Sequence, residues 1–390
     1  MYRNTRFGEI LKGLSRGGFE RMVTQRKADK HTKGFSSWNH LVAMIYAQIG
    51  EHRSLREVET GFNSQASRHY HLGCQKIKRS TLSDANRHRD AGLFVDTCQQ
   101  LMGQVNRKLR GELKTFLYLL DSTSITLKGL GYDDWTQAGS TRNTQGIKLH
   151  LLMSAHDALP QYCNMTNANV NDISDASNIE IEENAIYAFD KGYCDYNWWN
   201  EIDRKGATFV TRYKNNAALI MTKEHEIPAA DKDTVLKDEA VKFKYKHPGG
   251  KRINRYEKIL RRIVIARPDY ETPLVLATND MESSALEIAE IYKKRWLIEL
   301  FFKWIKQNLK IKKFLGRSEN AVRIQLYSAL ISYLLIALYR HTQGLKKSMK
   351  DALVLIKATL FQRPETEWYL IKKRRRIAQQ EVWQQQICLI

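Results

Sequence analysis

One carboxylate stands among cations in a stretch near the middle of the chain's second half. Tyr292, Arg295, Glu299 and Lys306 lie within Ser284 to Lys310, a segment with no Gly and no Pro. Such a segment reads as helix. At about 100° per residue, with Tyr292 at zero, the other three fall at about −60°, −20° and −40°. The four polar groups share one narrow stripe, and Ile291, Leu297, Ile298, Phe301, Trp304 and Ile305 cover the opposite side. A lone acid on a basic stripe suits a metal ion held beside a phosphate. The same stripe could be a plain surface with an Arg295–Glu299 pair at i,i+4. Two upstream acids tip the balance. Asp121 closes the apolar run Phe116–Leu120, and Asp190 closes Ala185–Phe189. A strand end holds its side chain against a rigid sheet, and a helix can bring a third acid opposite. Three carboxylates with no His or Cys cluster call for hard cations, Mg²⁺ with Mn²⁺ as substitute. Asp121, Asp190 and Glu299 can hold two such ions about 3.5–4 Å apart for in-line phosphoryl transfer. Tyr292, Arg295 and Lys306 would then hold phosphates.

Other residues weigh against this set. Asp195 is a rival second acid, but Asp190 ends its strand directly. Lys148 and His150 alternate with apolar neighbours, so they either line the site or reflect ordinary strand alternation; Lys148 is kept as a further phosphate-binding candidate. Asp133, Asp134 and Asp172 read as loop or cap residues, and Trp198 and Trp199 as core.

The elements that must carry these groups read as α/β. Apolar runs at 116–121, 146–153 and 161–166 give three consecutive strands, an antiparallel meander. A helix at 175–183, a strand at 185–190, a helix at 196–204 and a strand at 208–213 add parallel crossovers. Residues of about 214–270 are Lys-rich with a Gly249–Gly250 turn and read as a β insertion. Strands near 262–266 and 273–278 lead into the Glu299 helix, and the apolar helix 322–339 is expected to bury beneath the site. Residues 1–110 read as a helical domain, and the segment 80–90 as a Ser-capped helix with an exposed basic face. That face is either a DNA-binding surface of helix-turn-helix type or a solvated one. Residues 343–390 read as a helical basic region, with a helix near 348–360 and a tail helix over 365–386. The tail's run Lys372–Arg376 either binds DNA or is solvated. The catalytic part is then 111–342.

Charge points to the partner. The chain carries 63 Lys and Arg against 42 Asp and Glu, a net +21 with 43% apolar residues. A globular chain this basic predicts a polyanion, most often nucleic acid. Its size and aromatic content speak against a ribosomal protein, and the lack of a long basic amphipathic segment speaks against a membrane-surface one. Five scattered cysteines form no C-x-x-C pair and read as reduced thiols of a cytosolic protein. The N-terminus shows no apolar core of a signal peptide, and the longest apolar run, Ala329–Tyr339, is shorter than the roughly 20 residues that span a bilayer.

Asp121, Asp190 and Glu299, on this order of strands with a β insertion before the Glu helix, resemble a bacterial insertion-sequence DDE transposase with a ribonuclease H-like core. Tyr292-x2-Arg295-x3-Glu299-x6-Lys306 resembles the Y-R-E-K signature of the insertion-sequence four group. Asp121-Ser122-Thr123, Gly146–His150 and Asp190-Lys191-Gly192-Tyr193 resemble other blocks of that family. The resemblance covers about 114–340, and residues 1–110 resemble a small domain that often precedes it. It implies a ribonuclease H-like mixed sheet flanked by helices and cut-and-paste transposition through a DNA hairpin. It also implies double-stranded DNA partners (the element's inverted-repeat ends and target DNA) and a homodimer in a synaptic complex. A cytoplasmic, nucleoid-associated location and no membrane partner follow. Relatives can stack a flipped base on an insertion Trp, yet residues 205–295 hold none; Tyr245 or Phe243 could replace it. The rivals are a related metal-dependent nuclease and a catalytically inactive, transposase-derived DNA-binding protein.

Overall fold

The structure, a computed structural model, describes residues 4–109, 116–136, 145–247, 253–309, 313–363 and 376–377. The chain divides into two compact units. One is helical: Met1–Leu101, Asn308–Gly316 and Asn320–Ile390. The other holds the sheet: Met102–Gln307 with Arg317–Glu319. The N-terminal helices are α1 (Arg6–Leu11), α2 (Arg16–Gln25), α3 (Ser37–Ile49), α4 (Leu55–Asn63), α5 (Arg79–His88) and α6 (Gly92–Leu109). Helix α5 starts on Lys78 as N-cap with no side-chain cap bond, so the expected Ser cap is absent.

The sheet unit is built around one nine-stranded sheet. Strand β1 (Leu117–Thr126) pairs antiparallel with β2 (Gly146–Ser154), and β2 with β3 (Pro160–Asn167). On its other side β1 runs parallel to β4 (Ile186–Phe189), and β4 to β5 (Thr208–Arg212). This is the expected meander with parallel additions. Tyr187, Ala188 and Phe189 are buried, as a short central parallel strand requires. Helix α7 (Asp172–Ala176) is five residues long, shorter than the helix expected at 175–183. Helix α8 (Tyr196–Arg204) matches its expected span, and its Trp198 and Trp199 are core, Trp199 lying 5.0 Å from Phe209 by ring centroids.

The residues expected as an insertion form no separate layer. Strands β6 (Leu219–Glu224), β7 (Val235–Phe243), β8 (Leu260–Ile265) and β9 (Leu274–Thr278) continue the same sheet. The order is β3-β2-β1-β4-β5-β9-β8-β7-β6, with β5–β9 and all later pairs antiparallel. Period-2 alternation locates these strands but says nothing of which edge they join. The Gly249–Gly250 turn lies outside the described residues.

The single helix expected over 284–310 is two. Helix α9 (Ala285–Lys294) begins with a capping box between Ser284 and Glu287, and α10 (Trp296–Asn308) follows. Arg295 alone separates them, with φ −52° and ψ −29°, still helical values. Its N–H donates to the Tyr292 carbonyl and its carbonyl accepts from Ile298, both at 3.1 Å. These i→i+3 bonds tighten one turn without any Gly or Pro.

The helical unit has its own core. Every residue of α3 is buried, the mark of a core helix. Helix α11 (Glu319–Thr342) was expected beneath the site, but from Asn320 onward it belongs to the helical unit, where Gly13 lies against Leu335 and Leu338. It is long and apolar enough to cross a membrane, yet 89% of its most apolar window is buried in protein. Helix α12 (Met349–Thr359) also joins this unit, so the described part of 343–390 forms no separate unit. Of the basic run 372–376, only Arg376 lies among the described residues. Cys74, Cys98, Cys163 and Cys194 are unbridged.

Candidate active site

The register of β1 and β4 brings the first two acids together. Leu120 pairs with Phe189, so Asp121 and Asp190 are the next residues on neighbouring parallel strands. The structure differs from a strand-end picture for Asp121. Strand β1 runs on to Thr126, paired only with β2 beyond the end of β4. The apolar run stops at Asp121 because sheet on both sides stops there. Asp190 leaves β4 as the N-cap of a short 3₁₀ turn, Lys191–Tyr193.

The α9–α10 pair supplies the remaining groups. Tyr292, only 8% exposed, donates its hydroxyl to Asp190 Oδ1 at 3.3 Å. Arg295 Nη2 donates to Glu299 Oε1 at 2.6 Å, and Nη1 to Asp121 Oδ2 at 3.5 Å. Lys306 Nζ donates to the Thr123 hydroxyl. The stripe read from the sequence therefore faces β1, with Arg295 bridging two of the three acids. Burial pushes the Asp121 carboxyl up to about 6. The Ser122 N–H and Arg295 hold it down, while Glu299 and Asp190 push it further up.

These residues fit a divalent cation. All donors are carboxylate oxygens, and a buried carboxyl with a raised proton affinity is short of positive charge. Among the described residues no three His, Cys, Asp or Glu side chains stand ready around one point. Arg295 is the cation that now joins Asp121 to Glu299. Its planar guanidinium would have to give up one carboxylate for these acids to hold an ion.

Two expected residues are placed differently. Lys148 Nζ donates to the Val170 carbonyl at 2.7 Å and pairs with Asp172 at 3.0 Å. Its register partner is Ser124, so by strand alternation it lies on the opposite face of β1–β2 from Asp121 and Thr123. Asp195 caps α8, accepting from Asn197 and Trp198 N–H groups at 3.0 Å. Asp172, read from the sequence as a loop or cap residue, joins Ser122 and Asp175, to which the sequence assigned no role of their own. Ser122 Oγ donates to Asp172 at 2.7 Å, and fully buried His150 stands 3.8 Å from both Asp172 and Asp175. This network braces the far face of the strand that carries Asp121. Of the two stacking candidates, Phe243 packs on Tyr196 at 4.1 Å, whereas Tyr245 is 51% exposed.

A mixed sheet with paired aspartates and a helical glutamate nearby is an arrangement that suits metal-dependent phosphoryl transfer. The family is specific: a transposase DDE domain model matches residues 115–335, more than half of the chain, and the chain belongs to that family. Divalent-metal-dependent DNA transposition comes with that membership. A second model, a domain of unknown function, matches residues 2–75. The chain is 41% identical over 257 residues to a Sinorhizobium fredii protein named as transposase y4zB, covering 65% of this chain and 69% of that one. It is 28% identical to the protein named as transposase for insertion sequence element IS4SA of Synechocystis, covering 78% and 84%. A solved structure, the piggyBac transposase synaptic complex with hairpin DNA, matches with TM-score 0.48 and 10% identity, covering 94% of this chain and 82% of that one.

Proposed function

We propose that this transposase moves a bacterial insertion sequence by cut-and-paste, with Asp121, Asp190 and Glu299 as the metal-holding acids. The observation that carries this is the Arg295 guanidinium bridging Asp121 and Glu299 while Tyr292 holds Asp190. Acids from β1 and α10 share one positive charge, and Tyr292 ties in Asp190, the residue after β4. Two Mg²⁺ ions, or Mn²⁺, would activate water or a DNA 3′-hydroxyl and stabilise the leaving oxygen. The chain's own residues then orient the strand. Arg295, released from a carboxylate, presents a bidentate donor to a phosphate. Lys306, about three helical turns further along the same stripe, holds a phosphate further along the strand. Tyr292 keeps Asp190 in place and offers a hydroxyl at the edge of the site. Lys148 positions rather than binds: it neutralises Asp172 behind β1. Tyr292, Arg295 and Lys306, with Glu299, extend the Y-R-E-K pattern to the chemistry of a DNA end. The substrates are the element's inverted-repeat ends and target duplex, acted on by a homodimer in the bacterial cytoplasm, with the N-terminal helices holding DNA. A hairpin on the element end fits this reading, with Tyr245 as the exposed ring that stacks the displaced base.

The test is cleavage of a labelled duplex carrying the inverted repeat from beside the coding region. Asp121→Asn, Asp190→Asn and Glu299→Gln should each reduce strand cleavage by about 10³-fold or more while duplex binding persists. Cleavage by any of the three at the unaltered protein's rate in Mg²⁺ would sink the assignment.

A further inference from the structure

We infer that a groove in the helical unit, formed by the start of α4, the exposed face of α5 and residues 314–315, is where duplex DNA seats. This rests on the transposase reading and goes beyond it by naming the surface. The groove has a volume of about 840 Å³. Arg53 and Arg56 line one wall, and Arg79 and Arg87 the other. All four are exposed, and among the described residues none of their guanidinium groups has a carboxylate or hydrogen-bond partner. The contrast is Arg26 in the same unit, which is paired with both Asp90 and Asp96. Four unpaired guanidinium groups around one groove repel each other until an anion arrives.

The α5 face says which anion. Arg79, Ser80, Ser83, Asp84, Arg87 and His88 fall on one stripe, while Leu82, Ala85 and Asn86 are buried behind it. Serines at the middle of the stripe let the helix backbone come close, and arginines at both ends reach outward. A helix of this kind fits a major groove about 12 Å wide, where Arg pairs with guanine and Ser or Asp meets other base edges. The helix is also held rigid before it binds. Glu59 accepts from the Arg79 N–H at 2.9 Å at its start. Asn320 accepts from Ala91 and donates to the Asn86 and Arg89 carbonyls at its end. His40 contacts Asn86 at 2.7 Å from below. Because α4 is tied to the segment leading into α5 by the paired Asn63–Ile77 hydrogen bonds at 2.8 and 2.9 Å, Arg56 in its first turn and Arg53 just before it are set for phosphates beside that groove.

The test uses the full chain, fluorescence anisotropy and two probes: the inverted-repeat duplex and a duplex of the same composition with scrambled order. Arg53→Ala with Arg56→Ala should weaken both duplexes by about tenfold and lower the slope of log affinity against log salt by about two. Ser83→Ala with Arg87→Ala should lower the preference for the repeat over the scrambled duplex. Circular dichroism of each variant should match the unaltered protein. Unchanged affinities and slopes in folded variants, or tighter binding to an RNA duplex of the same sequence, would overturn the groove as the DNA seat. If the unaltered protein binds and cuts the repeat while the groove variants behave like it, only this inference fails. If the unaltered protein neither binds nor cuts it, the transposase reading fails first.

Discussion

At the scale of single residues, the site holds its own cation. Arg295 donates one bond to Glu299 and a longer one to Asp121, which is 20% exposed. Arg295→Ala removes a competitor for the acids. In DNA-free protein it should tighten Mn²⁺ binding several-fold by titration calorimetry, and strand cleavage should still fall, because a phosphate donor is gone. Weaker Mn²⁺ binding in that variant would show that Arg295 organises the acids instead of occupying their space. Asp121 carries a second consequence. Its folded pKa is raised to about 6 from 3.8, so the folded protein binds the extra proton between those values. Stability in chelator should therefore fall as pH rises through that window and then level off. Asp121→Asn removes the effect. Urea unfolding should find the variant more stable by about 2 kcal/mol above pH 6 and equal to the unaltered protein below about pH 4.

Elements set the precision of this arrangement, and Gly146 is one of their pivots. It opens β2 with φ +141°, and a Cβ there would run into the Ile125 carbonyl of β1. Gly146→Ala should destabilise the fold by about 3 kcal/mol and slip the β1–β2 register on which Asp121 depends. Thermal unfolding checks the first effect and loss of cleavage at permissive temperature the second. The sequence showed Gly146 as the start of a strand, but a backbone conformation closed to other residues has no compositional signature. The same limit hid Asp172, whose partners Ser122 and Lys148 are 50 and 24 residues away along the chain. The two strand aspartates and the Tyr292–Lys306 stripe were legible because each is a local pattern: an apolar run that ends, or one face of a helix. The break at Arg295 was not, since a residue with helical φ and ψ and no Gly or Pro beside it leaves no mark. The β6–β9 strands were visible as alternation, and their place in the sheet was not, because edge choice is settled by long-range pairing.

For the whole molecule, the net charge of +21 is the property that governs encounter with DNA. Duplex affinity should fall by about a thousandfold or more between about 50 and about 200 mM salt, as anisotropy titrations can measure. A flat dependence would mean that the basic surface is not the footprint. The apolar character of α11 was plain in the sequence, and its burial was correctly expected, but an all-round apolar helix does not say which elements enclose it.

That helix has a bearing on how such genes decay. Because α11 and α12 are enclosed by helices from the beginning of the chain, a copy that loses its first third keeps the sheet acids but leaves an unsheathed apolar rod. Its product would aggregate instead of persisting as a free catalytic fragment. A copy truncated before α11 would lack the other half of the same core. Partial copies scattered through a genome should therefore be silent, neither cutting ends nor shielding them, and an intact element would face little interference from its own remnants.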